Sequence, residues 1–295
     1  MKDRVSPSTR RRYPFTMVCK AYRLARSSGY AAGLRAIVEK SVVKRGPQPG
    51  ISDGVLLQEI RREIETCLFV GEGHRKVHRR LENRGVFTGR GRVLRLMRLN
   101  GLLVPQRNRR IHGNPAHTGT IVTKRPNEMW GADGTNFYTL KDGVCWLFIA
   151  IDHASDKVVG HHVAKIGDRF AALEPVKQGV AGNFGRYAGA IATGLKLRVD
   201  WGTQYTSHDF EAETRWLGMK ISHSFVGEPQ CNGIAERFIR TAKEECLWLF
   251  DFEDVEQARK TIAAFIDRYN NHWLIERLGY RTPTQAHEEL FQEAA

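Results

Sequence analysis

The sequence has few cysteines and no long apolar run, and each shortage excludes a class of protein. Its 295 residues include five cysteines without paired spacing, which excludes a disulfide framework and predicts reduced thiols in a cytosolic protein. The longest apolar run, 144–151, has the length of a strand and is far too short to span a membrane. We find no signal peptide at the start of the chain.

Acidic residues are scarce in the first part of the chain. Residues 1–130 contain 28 Lys and Arg against 9 Asp and Glu, whereas residues 131–295 contain 18 against 23. A basic part joined to a mildly acidic part favours one region that holds a polyanion and another that binds cations for chemistry. The alternative is a generally basic protein in which the division has no functional meaning.

Changes of pattern divide the chain into five regions. They are a basic arm with short helices (1–50), a helical region (51–104), a basic linker without periodicity (105–127), a region of strands and helices (128–273) and a C-terminal tail (274–295). Glycine and proline at 46–50 mark the first boundary. The length of the chain is sufficient for more than one domain.

The helical region is expected to contain three helices. Ser52 caps the first, the second covers about 74–83, and Thr88 caps the third over 89–99. A helix, a glycine-containing turn and a helix with outward arginines are typical of a helix-turn-helix. The candidate DNA contacts on the third helix are Arg90, Arg92, Arg95 and Arg98. The alternative is an ordinary three-helix bundle with a solvated basic face.

The pattern after residue 128 predicts a mixed α/β domain. Three strands close in sequence are expected to form an antiparallel meander, and two shorter strands follow, each after a helix. The expected strands are 130–140, 144–152, 157–163, 195–199 and 219–222, and the expected helices are 168–180, 207–217, 232–250 and 255–269.

Three acidic residues occupy positions suited to metal-dependent phosphoryl transfer. Asp133 lies in the first strand, Asp200 follows the fourth strand, and Glu236 lies on the long helix after the fifth. Two such charges about 5 Å apart repel by roughly 3 kcal/mol at an effective dielectric constant near 20. A fold that brings them together therefore needs a divalent cation there.

One face of the long helix carries both acidic and basic side chains. Asn232, Glu236, Arg240 and Lys243 fall within about 80° of one another around a regular helix. The helix could therefore bury its apolar side while directing Glu236 and two cations into a shared cleft. The alternative is an amphipathic helix with a polar outer side.

Residues 128–283 resemble the catalytic core of insertion-sequence transposases related to retroviral integrases, the DDE group with a ribonuclease H-like fold. The matching stretches are 130–135, 200–205, 232–238 with Lys243, 269–270 and 282–283. Residues 71–103 resemble the helix-turn-helix that precedes this core. The resemblance implies a ribonuclease H-like mixed five-stranded sheet with flanking helices, preceded by a small all-α helix-turn-helix region.

The same resemblance implies an enzyme that cuts DNA and transfers strands at the ends of an insertion sequence. Asp133, Asp200 and Glu236 would hold two Mg²⁺ ions, for which Mn²⁺ could substitute, and Lys243 and Arg240 would contact DNA. The implied partners are transposon-end and target DNA, further copies of the chain and an upstream-frame protein, in the bacterial cytoplasm at the nucleoid. Two alternatives are a DNA-binding regulator derived from an inactive transposase and a ribonuclease H-like nuclease without strand transfer.

Overall fold

The computed structural model describes residues 4–28, 30–31, 50–104, 122–223 and 232–293. The chain divides into two compact units, residues 1–50 and 51–295. The helices are α1 (Phe15–Ala21), α2 (Asp53–Thr66), α3 (His74–Asn83), α4 (Arg90–Leu99), α5 (Arg169–Phe184), α6 (His208–Trp216), α7 (Gly233–Ala242), α8 (Val255–His272) and α9 (Pro283–Gln292). The strands are β1 (Met129–Thr139), β2 (Gly143–Asp152), β3 (Val158–Ala164), β4 (Lys196–Val199) and β5 (Lys220–His223).

The first unit contains α1, in which Cys19 is buried. Two short helices were expected between residues 15 and 45, and the second falls mostly outside the described residues. None of the helices in the described ranges combines the length and apolar character needed to cross a membrane.

Three helices, α2 to α4, enclose a small apolar core in the second unit. Its buried members are Leu56, Ile60, Val77, Leu81, Val93, Leu96 and Met97. Ser52 caps α2 as expected, since its side chain accepts a hydrogen bond from the amide of Val55. The prediction that Thr88 caps α4 was wrong: Gly89 precedes the helix, and no side chain caps it. The carbonyl of Thr88 lies instead 2.8 Å from Nε2 of His78.

The five strands form one mixed sheet in the order β3-β2-β1-β4-β5. The pairs β1–β2 and β2–β3 are antiparallel, so the first three strands are the expected meander. The pairs β1–β4 and β4–β5 are parallel. The expected ribonuclease H-like mixed sheet of five strands is confirmed.

Helices cover both faces of this sheet. One apolar layer joins α7 and α8 to alternate residues of β2, among them Leu147, Ile149 and Ile151. The other layer joins α5 and α6 to Trp130, Ala132 and Phe148. This alternation places Trp130 and Ala132 of β1 on the α5 side, so Gly131 and Asp133 belong to the α7 side.

The expected single helix over 232–250 is interrupted. Its regular part, α7, ends at Ala242, and residues Lys243–Leu247 form a wider π-helical turn. Because the widened turn shifts the residues that follow, a regular helical projection does not place Lys243 correctly. In the segment expected to be a tail, α9 begins with a capping box between Thr282 and Gln285.

The three-helix region is joined to the sheet domain by specific contacts. The carboxylate of Glu245, in the π turn, accepts hydrogen bonds from the amides of Val70 and Gly71 at 2.8 and 2.9 Å. Phe69 is buried in the apolar layer beneath α7 and α8. Arg80 of α3 donates to the carbonyl of His272 at the end of α8. Residues 105–121 of the expected linker lie outside the described residues.

Candidate active site

The parallel pairing of β1 with β4 aligns the first two predicted acids. Gly131 is paired with Arg198, and Asp133 and Asp200 each lie two residues further along. Two residues is one full strand repeat, so both side chains point to the face that α7 covers. Neighbouring strands are about 4.8 Å apart, and the backbones of the two acids therefore lie close together at the end of β4.

The third acid, Glu236, lies in the first turn of α7. The start of this helix is attached to β1, because Nδ2 of Asn232 donates a 2.9 Å hydrogen bond to the carbonyl of Ala132. Ala132 directly precedes Asp133, and Glu236 follows Asn232 by about one helical turn. The attachment brings the helix end that carries Glu236 to the strand position that carries Asp133.

The electrostatics of Asp133 couple it to both other acids. The pKa of Asp133 is raised to about 7, mainly by burial and in addition by the charges of Asp200 and Glu236, whereas the amide of Gly134 and the charge of Lys243 oppose the increase. Burial also raises the pKa of Glu236, and the charge of Arg240 partly opposes this increase. Neighbouring carboxylates disfavour one another's ionisation, and a cation bound between them would stabilise their charged forms.

The carboxylates do not form a closed metal cage in this conformation. Among the described residues, no group of three or more His, Cys, Asp or Glu side chains is arranged to hold a metal ion. The carboxylate of Asp133 accepts from the amide of Gly134 at 2.7 Å, and that of Asp200 accepts from the amide of Gly202 at 2.8 Å. Each of these backbone bonds uses one oxygen of the carboxylate, and a carboxylate has a second oxygen with which it can bind a cation.

Tyr205 lies within electrostatic reach of the first two acids, and sequence reasoning assigned it no role of its own. Its side chain is fully buried, and its hydroxyl has no hydrogen-bond partner in the described part of the chain. Burial raises the pKa of Tyr205 well above its usual value, and the charges of Asp133 and Asp200 add to this. A buried, unpartnered hydroxyl beside two carboxylates suits a site that takes a further polar group or hydrated ion.

The observations are consistent with the chemistry of Mg²⁺. This ion prefers carboxylate oxygens and retains several waters, and the carboxylates of Asp200 and Glu236 lie near enough to act electrostatically on that of Asp133. Residues 224–231, which lead into α7 and were expected to close over a bound strand, lie outside the described residues.

An aromatic pair flanks Asp200. The rings of Trp201 and His223 stack with centroids 4.4 Å apart, and Nδ1 of His223 lies 3.4 Å from the carbonyl of Asp200. Trp201 is more than half exposed. The pair therefore presents an aromatic surface next to the acids.

The two predicted cations of the long helix are placed differently. Lys243 is half-buried, and its charge lowers the pKa of Asp133. Arg240 is exposed, and its charge acts on Glu236. Both residues lie within electrostatic reach of the acids, Lys243 acting on Asp133 and Arg240 on Glu236.

The structure separates the four predicted arginines of α4 into two groups. Arg92 and Arg95 both bind the carboxylate of Asp53, at 2.7 and 2.6 Å. Arg90 and Arg98 are exposed and make no ion pair with a described residue. Burial lowers the pKa of the nearby His74, and the charges of Arg75, Arg90 and Arg98 lower it further. The two arginines of α4 without an ion pair, Arg90 and Arg98, therefore lie near the start of α3.

Comparison with known proteins identifies relatives for the chain. The model of the integrase core domain family matches residues 217–283. Transposase InsD of insertion element IS2A/D/F/H/I/K from Escherichia coli is 28% identical over 195 residues, which are 66% of this chain and 64% of the relative. An InsD relative of insertion element IS2E from Escherichia coli strain K12 shows the same identity over 88% of its own length. The chain thus spans just under two thirds of the first of these relatives and most of the second.

Retroviral proteins are found among the solved structures. A chain of the simian T-cell lymphotropic virus intasome is 17% identical, with a TM-score of 0.48 over 78% of this chain and 74% of that chain. The HTLV-2 integrase catalytic core domain in complex with magnesium is 19% identical, with a TM-score of 0.43 over 55% of this chain and 97% of that chain.

Proposed function

We propose that this chain is a DDE-type insertion-sequence transposase, an enzyme that cleaves DNA and transfers strands at the ends of a mobile element. The observation that carries the proposal is the convergence of Asp133, Asp200 and Glu236 at one end of β4, where each acid comes from a different element. Similarity to insertion-element transposases over 66% of the chain supports the same function.

The three carboxylates are the residues that would hold two Mg²⁺ ions, with Mn²⁺ as a substitute. Bound metal would supply an activated water or 3′-hydroxyl and would stabilise the leaving oxygen at a DNA phosphodiester. The chain itself supplies three converging negative charges, whose mutual repulsion favours uptake of a divalent cation. Tyr205 lines the pocket from below with its unpartnered hydroxyl.

Positive side chains would hold the DNA on either side of the acids. Lys243, half-buried within reach of Asp133, is suited to a phosphate near the cut, and Arg240 to one further out. In the helical region, Arg90 and Arg98 have charge available for phosphate, whereas Arg92 and Arg95 are occupied by Asp53. Such contacts predict an affinity that falls steeply with salt.

The partners in this proposal are transposon-end DNA, target DNA and further copies of the same chain. An upstream-frame protein would assist recognition of the element ends. The reaction would take place in the bacterial cytoplasm, on DNA of the nucleoid.

The test is a joining assay with oligonucleotides that carry candidate element ends, with Mg²⁺ and with EDTA. We expect metal-dependent cleavage and new 3′-end joints. Asp133→Ala, Asp200→Ala and Glu236→Ala should each lower the rate by about a thousandfold, equivalent to roughly 4 kcal/mol of transition-state stabilisation, while DNA binding persists. The exposed Glu253→Ala is the matched control and should leave the rate unchanged.

Other outcomes would contradict the proposal. Normal joining by Asp200→Ala would show that this carboxylate has no metal-binding role. Nicks without joints would indicate a ribonuclease H-like nuclease. DNA binding without any product would indicate a regulator.

A further inference from the structure

A buried polar junction lies between β1 and the start of α7. Asn232 and His153 are each only 4% exposed. Nδ2 of Asn232 donates to the carbonyl of Ala132. Oδ1 of Asn232 and Nε2 of His153 both face the backbone of Gly131 at this junction, and neither atom has a hydrogen-bond partner in the described part of the chain.

Gly131 provides the space for this junction. A Cβ atom at residue 131 would lie 2.5 Å from Oδ1 of Asn232 and 2.8 Å from Nε2 of His153. Both distances are too short for non-bonded atoms, so a side chain here would displace the pair. The two polar groups thus lie directly on the backbone of β1, two residues before Asp133.

His153 is itself fixed from two directions. Its amide donates to the carbonyl of Met129 at 3.0 Å. Its carbonyl accepts from the guanidinium of Arg277 at 2.9 Å, and the same guanidinium binds the carboxylate of Asp156 at 2.6 Å. The turn after β2 therefore holds the imidazole at a defined point beside the amide of Asn232.

We propose that Asn232, packed with His153 against Gly131, is a positioning residue that sets the distance between Glu236 and Asp133. This inference rests on the proposed function. Apolar contacts through Ala235 and Phe238 hold α7 against the sheet, but such contacts are not directional and tolerate sliding along the helix axis. The hydrogen bond from Asn232 to Ala132 fixes the position of α7 along its axis. This bond lies next to Asp133 and about one helical turn from Glu236.

The consequence for the reaction is specific. A misplacement of about 1 Å at a reacting centre can cost about a hundredfold in rate. Removal of the Asn232 amide should therefore affect turnover much more than DNA affinity, because the phosphate-binding cations remain in place. It should also loosen the first turn of α7 in the protein without metal.

The test compares Asn232→Ala with Asn270→Ala in the full chain. Asn270 is a matched control because its amide also links a helix to a strand, with bonds of 3.0 and 2.9 Å to the backbone of Val158. We expect Asn232→Ala to lower kcat of end joining about a hundredfold with KM for DNA within about twofold. Asn270→Ala should keep kcat within about threefold, with a comparable loss of thermal stability.

Two further arms test the mechanism rather than the stability. Hydrogen exchange of the amides at 233–237, measured without metal, should accelerate about tenfold or more in Asn232→Ala and remain unchanged in Asn270→Ala. Gly131→Ala should lower turnover alone but add little in the Asn232→Ala background, because the junction is already lost.

The inference is overturned if Asn232→Ala joins ends as fast as Asn270→Ala, or if exchange at 233–237 is the same in both. A wild-type protein that yields no metal-dependent product would overturn the proposed function instead. The exchange arm distinguishes the two failures, since it requires neither metal nor DNA.

Discussion

Asp133 is the residue at which burial and charge conflict most directly. Its carboxyl is half-buried, and two like charges face it. The protein accepts this cost because the carboxyl is held on a central strand between β2 and the β4 end. Removal of the charge should therefore have opposite effects on stability and activity.

Asp133→Asn should raise the melting temperature of the metal-free protein by several degrees at about pH 8. The folded-state pKa of Asp133, about 7, exceeds the ordinary value of 3.8. The ionised form is therefore disfavoured in the folded state, and wild-type stability relative to the variant should rise as the pH falls from about 8 to 5. Thermal unfolding across this range provides the measurement. Mg²⁺ should stabilise the wild type more than the variant, and an equal shift in both would contradict metal binding at Asp133.

The three acids could be selected from the sequence as candidates, whereas the contacts around them could not. Asp133, Asp200 and Glu236 stand out because acidic residues at the ends of expected elements are visible in the chain itself. The bond between Asn232 and Ala132 joins residues separated by 100 positions. Tyr205 looks like an ordinary core aromatic, with its ring edge-on to Phe210. Such roles depend on tertiary contacts, which residue type and spacing do not encode.

Helix α4 shows how one element divides its charges between structure and binding. Regular spacing predicts that Arg92, Arg95 and Arg98 share a side of the helix. Asp53, in the first turn of α2, binds the first two of them. An acid at a helix start is favoured by the helix dipole, and here it also joins α2 to α4.

Arg98→Ala and Arg92→Ala should therefore have different effects. Loss of Arg98 should weaken DNA binding uniformly across sequences and reduce the salt slope by about one. Loss of Arg92 should lower thermal stability, because its guanidinium also donates to the carbonyl of Ile51, and should leave the salt slope nearly unchanged. Binding titrations at several salt concentrations together with melting curves make the comparison. A larger change of salt slope in Arg92→Ala would contradict this division.

The existence and order of the elements followed from periodicity, but their ends did not. The apolar run of β2 and the helix expected from residue 207 were readable in the sequence and agree with the structure. The π turn at Lys243–Leu247 was not, because its widening depends on packing against α8 and on the contacts of Glu245. Thr88 was a plausible cap by residue type, but the turn places its carbonyl toward His78.

Within the unit formed by residues 51–295, Glu245 links the helical region to the sheet domain. It is a buried acid that lies next to Lys243 and Cys246 in the π turn, and its two oxygens receive the amides of Val70 and Gly71. Hydrogen bonds to charged groups contribute about 1.5–3 kcal/mol. This contact therefore contributes substantially to holding α3 and α4 against α8.

Glu245→Gln should lower the melting temperature by several degrees, because one of the two acceptor oxygens becomes an amide donor facing a backbone N–H. Proteolysis and hydrogen exchange should accelerate first at 67–73. Glu256→Gln, an exposed acid of α8, is the control and should change neither. Uniform loosening of the sheet domain, without priority for 67–73, would contradict this assignment.

The docking of α3 onto the end of α8 has a geometric consequence for DNA. Arg75 pairs with Glu276, and Arg80 reaches the carbonyl of His272, so the base pairs gripped by the three-helix region would lie at a set offset from the scissile phosphate. The protein would then fix the number of base pairs between its DNA-binding site and the cleavage site. Adding half a helical turn of DNA between the gripped site and the cut would move the phosphate to the far side of the duplex, out of register with the carboxylates.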